Sequence, residues 1–538
     1  MVKSQPYKKQ PILAYSLKGM VSTASGPATE AGVKILEKGG NAIDAAVAVA
    51  FCIGVTEFQA SGIGGQTMVL MHLAKENRTI ALDGSSRAPY RIDPRRIPKE
   101  PLRMGIRATT VPSTPAVLGY LLEKYGTLSL EEVIEPAIVA AEEGFKVTAL
   151  QHYLLTRESE KLLADPLIAE VYFKGKQAVN AGEILRQPLL AQCLKRMSNS
   201  GWRDFYLGEI AEKILMDMEE RDGLLTITDL NRIPIPIERP ILSANYRDLN
   251  LQTFPPPGAG KALVQILNIL ENFSPEELSA DSPQAPIIMA YAFKAALQDR
   301  KRLPVDPALY LQSEERYIIG KEYAYGISER IKNHILKGNS GDFSPPKTAG
   351  ETTHLSVIDQ EKNMVGITQS IELVCGSKTL ARGLGFFYNN YMCAYDYKDM
   401  THPYYLLPSA VPWSSVAPTI VYKNGDPLLL LGSPGSERIS TSLAQVIIRL
   451  FDGKQQLHEA IAAPRLHASP KGTIHIEAKR FLPEVISELE SLGFTVTKRG
   501  AYSFYLGCVQ AVMAPHEEQA YFCGAADVRR DGTASGPK

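Results

Sequence analysis

No stretch of this sequence stays apolar for long enough to cross a bilayer. The longest, Ala45 to Val55, falls well short of the ~20 residues a helical span needs, so no membrane contact is expected. An excess of either charge is missing too. Lys plus Arg and Asp plus Glu both count 58, which leaves no global field to attract nucleic acid or an anionic surface. A local basic cluster, Arg300-Lys301-Arg302, reads as a solvated helix face. Cysteines are few: six, at 52, 193, 375, 393, 508 and 523. They form no Cys-x-x-Cys pair and no His spacing of zinc-site type, so no metal is expected and most should be core residues in a reducing compartment. Cys375 is the one to watch, because it lies close in sequence to the strands discussed below, although packing is the default for such a residue. A secretion signal is also lacking. Met1 to Gln10 is polar and Pro11 to Tyr15 is too short for a leader's apolar core, so a cytoplasmic location is expected.

What is present suits a large enzyme. With 538 residues, 45% of them hydrophobic, the chain can bury a substantial core, and length alone would suggest about three domains. Helical and strand patterns alternate and no short repeat is visible. Asn41 to Thr56 has the apolar density of a buried helix, with Asp44 near its positive end. Thr67 to His72 and Thr79 to Leu82 read as paired strands. Leu128 to Glu143, Gln187 to Met197 and Ala262 to Leu270 read as helices. Gly258-Ala259-Gly260-Lys261 fails as a phosphate loop, since Pro255 and Ala262 stand where Gly and Ser or Thr are required, and is taken as a turn into a helix. Further on, Leu355 to Asp359, Met364 to Ser370, Thr419 to Tyr422 and Leu428 to Leu431 read as strands. Ser440 to Phe451 and Leu482 to Leu492 read as helices, the second stopped by Gly493.

The most informative stretch is Glu351-Thr352-Thr353-His354-Leu355-Ser356-Val357-Ile358-Asp359. A strand opening on a hydroxyl residue follows Lys337 to Gly350, rich in Gly, Ser and Pro as solvated loops are. Scission between Glu351 and Thr352 would give Thr352 a free α-amine beside its own hydroxyl. An α-amine of pKa about 7.7 to 8.0 accepts the hydroxyl proton near neutral pH, so one residue supplies both nucleophile and base.

These residues do not stand alone. Ala31 to Ala48, with its Gly39-Gly40-Asn41-Ala42 core, and Ser61-Gly62-Ile63-Gly64-Gly65 precede them. Pro255-Pro256-Pro257-Gly258 comes before the Thr352 stretch, and Asn389-Asn390, Ser414-Ser415, Pro418-Thr419-Ile420-Val421, Gly432-Ser433-Pro434-Gly435 and Ala463-Pro464-Arg465-Leu466-His467 follow it. In this order, from about Gly19 to the C-terminus, the chain resembles the γ-glutamyltranspeptidase family of N-terminal-nucleophile hydrolases.

The resemblance implies an α+β fold, the four-layer αββα sandwich, in one intertwined domain. Residues 1–351 would form the large fragment and 352–538 the small one, associated after self-cleavage. It implies acyl transfer from a small-molecule amide to water or an amine, with no cofactor, and with Thr352 as nucleophile. Ser370 replaces the family's second threonine and keeps the hydroxyl. The amides of Gly435 and Ser436 would receive the oxyanion, although the family usually has Gly-Gly there, so Ser436 serves only if its φ allows. His354 is expected to be structural. For substrate, Arg87 is displaced by two positions from the family's carboxylate-binding arginine. Glu372, Tyr391 and Ala394 stand at the ammonium-binding positions, of which only Glu372 keeps a polar group suited to an ammonium, and Ser414 and Ser415 match a carboxylate-contacting pair. Three readings stay open: a γ-glutamyltransferase or hydrolase, an amidohydrolase of the same family with another acyl donor, and an uncleaved, catalytically silent binding relative.

Overall fold

Alternation along one strand sets the layering of the molecule. In Glu351–Asp359, Leu355 and Val357 enter one apolar core while Ile358 enters another on the opposite face, as the two-residue period of a strand requires. A computed structural model describes residues 12–93, 95, 100–309, 317–337 and 351–538. The Gly/Ser/Pro-rich segment before Thr352, residues 338–350, lies outside the described residues.

Glu351–Asp359 pairs antiparallel with Gly19–Thr23 on one side and Met364–Glu372 on the other. Around them a seven-stranded sheet runs Thr533–Ser535, Gly19–Thr23, Glu351–Asp359, Met364–Glu372, Gln66–Leu73, Arg78–Gly84, Ile237–Arg239. A second seven-stranded sheet runs Ile12–Ser16, Phe522–Ala526, Gln510–Met513, Asp426–Gly432, Thr419–Lys423, Leu249–Thr253, Leu242–Tyr246. Met20, Met68, Leu70, Ile358, Ile420, Leu430 and Val512 are buried between the two.

Helices cover both outer faces. Ala42–Thr56, buried along its whole length, packs on the first sheet, and Gly260–Leu270, Ala285–Arg302 and Arg438–Phe451 cover the second. The architecture is therefore the four-layer αββα sandwich, and each sheet takes strands from both sides of Thr352 in sequence. No helix among the described residues is long and apolar enough to cross a membrane.

Local chemistry explains several boundaries. The Ala42–Thr56 helix starts at Asn41, whose side chain accepts from the amides of Ile43 and Asp44, while Asp44 returns a bond to the Asn41 amide. Asp44 is more than a dipole partner, because it also accepts from Thr127 and from the amide of Leu128. Ser129 and Glu132 cap Leu130–Glu142 in the same reciprocal manner. The turn expected at Gly258 to Lys261 is shorter than predicted, and the helix already begins at Gly260.

His354 is fully buried between the sheets. Its Nδ1 lies 2.9 Å from Thr368 Oγ1 and its Nε2 3.0 Å from Ser356 Oγ. Burial lowers its pKa to about 3, so the ring is neutral and serves as a spacer. A side chain at Gly432, on the facing sheet, would collide with it.

Candidate active site

Thr352 does not sit in regular pairing. Glu351 opposes Glu372 and Thr353 opposes Gln369, so the register shifts at Thr352. Such a bulge re-aims a side chain out of the sheet's alternation. The Thr352 hydroxyl is directed at Ser370, donating to Ser370 Oγ at 3.3 Å. Ser370 Oγ in turn accepts from the Glu372 amide at 2.9 Å. Gly65 must be glycine beside this group, since a Cβ there would strike the Ser370 carbonyl.

The backbone of Thr352 is held from the other side by Arg530. Its Nη1 donates to the Thr352 carbonyl at 3.1 Å and to Glu57 Oε1 at 2.9 Å. Both ionic partners are buried, Arg530 at 3% exposure and Glu57 at 4%, where such a pair is strongly oriented. Sequence reading misses this clamp because its two members lie 473 positions apart and neither belongs to a recognisable local pattern.

Thr352 opens onto a cavity of about 560 Å³. Glu372, Tyr391, Ser414, Ser415 and Ser436 line it as well, together with Ala394, Cys393, Tyr395, Trp413, Arg300 and Lys301. Of the residues singled out from sequence, these and the neighbouring Ser370 and Gly435 are brought together. Arg87 is not. It borders a separate cavity with Asp229 and Arg232. Cys375 is buried in the helix-side core and does not line the catalytic cavity. The cysteine on the wall is Cys393.

One expectation is overturned. Arg300 is no solvated residue but only 9% exposed. It donates from Nη2 to the Ser414 carbonyl, stands 3.5 Å from Ser415 Oγ, and stacks 4.5 Å from the Trp413 ring centre. Burial lowers its pKa to about 10, leaving it cationic at neutral pH. Lys301 and Arg302 alone keep the exposure that the basic cluster predicted. The difference arises because the inward face of Ala285–Arg302 meets the Ser414 loop, a contact between positions more than a hundred residues apart.

At the turn expected from the resemblance to receive the oxyanion, Gly435 has φ +126° and Ser436 φ +53°. The first is a conformation that essentially only glycine adopts, and the second is left-handed, which costs a non-glycine residue on the order of 1 kcal/mol. Their carbonyls accept from Arg438 and Ile439, turning the chain into Arg438–Phe451. Among the described residues neither the Gly435 nor the Ser436 amide donates a hydrogen bond, so both remain available to an incoming anion.

Glu372, on the cavity wall, is also at positive φ, +78°. Burial raises its pKa to about 7, against the lowering fields of Arg103 and Arg438. Burial likewise pushes the Tyr391 phenol far up, assisted by Glu372, so Tyr391 offers a neutral hydroxyl.

Comparison with known proteins identifies the family. The family model described as gamma-glutamyltranspeptidase matches residues 28–537. A glutathione hydrolase proenzyme of Escherichia coli (strain K12) is 34% identical, covering 95% of this chain and 90% of the relative. An acylase ACY 1 proenzyme of Pseudomonas sp. (strain V22) is 32% identical over 88% of this chain and 86% of its own length. The crystal structure of a cephalosporin acylase from Bacillus halodurans superposes with a TM-score of 0.89, at 25% identity, covering 100% of this chain and 99% of the other. With the family model spanning nearly the whole chain, this protein belongs to the γ-glutamyltranspeptidase family.

Proposed function

We propose that the chain is a self-processing threonine-nucleophile enzyme that transfers the acyl group of a small amide to water or an amine. Thr352 Oγ1 adds to the Glu351 carbonyl, the bond to the Thr352 nitrogen breaks, and the hydroxyl proton passes to that nitrogen. Water then hydrolyses the resulting ester, leaving fragments 1–351 and 352–538 associated. The new α-amine takes the Thr352 hydroxyl proton during attack on a substrate amide, and the leaving amine departs with it. Gly435 and Ser436 amides would receive the oxyanion at each step, a contribution of ~3 kcal/mol per donor. Water or a second amine resolves the acyl-enzyme.

The observation that carries this reading is the Thr352 hydroxyl bonded to Ser370 at 3.3 Å on the wall of a 560 Å³ cavity that Ser436 also lines. A γ-glutamyl donor is favoured by Glu372 for its ammonium, and by Ser414, Ser415 and the nearby Arg300 for its carboxylate. A second donor class, an acyl chain bearing a carboxylate but no ammonium, is favoured by the aromatic walls Tyr391, Tyr395 and Trp413 and by the largely protonated state of Glu372 below pH 7.

Denaturing electrophoresis tests the processing. Two bands of roughly 38 and roughly 20 kDa, taking ~110 Da per residue, are expected, and Thr352→Ala should give one band and no turnover. Parallel assays with γ-glutamyl and glutaryl p-nitroanilides then choose the donor. Release from the glutaryl compound alone would reject the γ-glutamyl assignment, and an uncut chain inactive on both would reject the enzyme.

A further inference from the structure

Helix Arg438–Phe451 borders a cavity at each end. Ile439 in its first turn lines the catalytic one, whereas Arg449 in its last turn, ~15 Å further along the axis, lines a second cavity of about 190 Å³. Arg449 is only 9% exposed. Among the described residues no hydrogen bond or ion pair reaches its guanidinium, and its Nη1 is shut off from solvent without a partner. An unpaired buried cation is costly, and native proteins rarely leave one unmatched.

Its surroundings aggravate the imbalance. Burial chiefly, then the fields of Arg465, Arg529 and Arg480, lower its pKa to about 9, so it is still charged at neutral pH. Against these four guanidiniums stand Glu477 and Asp527, and both are already engaged. Glu477 pairs with Arg529 at 2.8 Å and Arg480 at 2.9 Å, and Asp527 with Arg465 at 2.6 Å. Asp281 also lines the cavity but is exposed and forms no ion pair with Arg449 among the described residues. The carboxyl-end dipole of the helix offsets part of the charge, yet it supplies no acceptor for Nη1.

Part of the remaining wall is apolar, with Met289, Leu482 and Val485 facing the same space, while Ser282, Gln445, Gln455 and a second guanidinium, Arg480, line it as well. Its volume is roughly fifteen times the ~10–15 Å³ that one water requires. We propose that this cavity binds a small organic carboxylate, its head on the Arg449 guanidinium and its short apolar body against Met289, Leu482 and Val485. A guanidinium receives a carboxylate in a two-pronged arrangement. Gln455 lines the same cavity, and its amide nitrogen can donate to the second oxygen. A bare inorganic anion would satisfy the charge and leave the apolar wall unused.

The site requires no turnover, so its test is independent of the catalytic reading. Thermal unfolding of the full chain is followed with rising butyrate against chloride and sulfate at equal ionic strength. The expected result is a saturable rise in Tm with butyrate, larger than with sulfate. That rise disappears in Arg449→Met, which removes the fork, and in Ser282→Trp, which fills the cavity from a half-buried lining position. An equal shift in all three proteins would assign butyrate to another place and overturn the proposal. Absence of a shift in the unaltered protein would overturn it as well.

Discussion

At the scale of single residues, the cavity sets Thr352 beside two neighbours at positive φ, Glu372 and Ser436. Glu372, held at about 7 by burial, is neutral in the folded protein at pH values where an unfolded chain already ionises it. The folded pKa is raised, so stability falls as pH climbs from about 4.5 toward 7, and Glu372→Gln should flatten that slope in denaturant titrations. The same substitution has a kinetic signature. If ionised Glu372 holds a substrate ammonium, KM for a γ-glutamyl anilide falls as pH rises through 7, and the variant loses this trend while keeping kcat. At the turn proposed to receive the oxyanion, Gly435→Ala has room for its methyl group but not the φ of +126°. It should lose ~10²–10³ in kcat by moving the amide donor, whereas Ser436→Gly keeps its amide and should retain activity in steady-state assays.

At the scale of elements, the nucleophile depends on a bulge and on what lies behind it. His354, two positions along, fits against the bare backbone of Gly432 on the facing sheet. Gly432→Ala forces the sheets apart at that point, and overpacking of this kind costs ~1–3 kcal/mol, measurable as a lower midpoint in urea together with slower self-cleavage. Elements of this kind were legible in sequence because strand alternation and helix caps are local. Leu355 to Asp359 alternates visibly, and Asn41 with Asp44 announces a helix start. The bulge was not legible, since the two strands it offsets are read separately and register belongs to the pair. Arg300 was misread for a related reason: three consecutive basic residues look solvated until the Ser414 loop, brought in from far along the chain, buries the first of them. Arg530 and Glu57 carried no pattern at all. Arg87, prominent in sequence, borders a different cavity, and its backbone forms an isolated antiparallel bridge with Val111 beyond the end of its strand.

At the scale of the whole molecule, the two sheets are woven from segments before and after Thr352. Glu351–Asp359 lies between Gly19–Thr23 and Met364–Glu372, and Arg530 reaches back to Glu57 across the same divide. Fragments 1–351 and 352–538 should therefore elute as one species in size-exclusion chromatography and separate only in denaturant. Once separated, neither holds a complete sheet, and regaining activity on dilution should be far less efficient than for uncut Thr352→Ala regaining its fold. Maturation of this kind works as a ratchet. The continuous polymer assembles with every strand tethered, the cut then erases the tether, and what survives is a machine whose shape records an order of events that cannot be rewound.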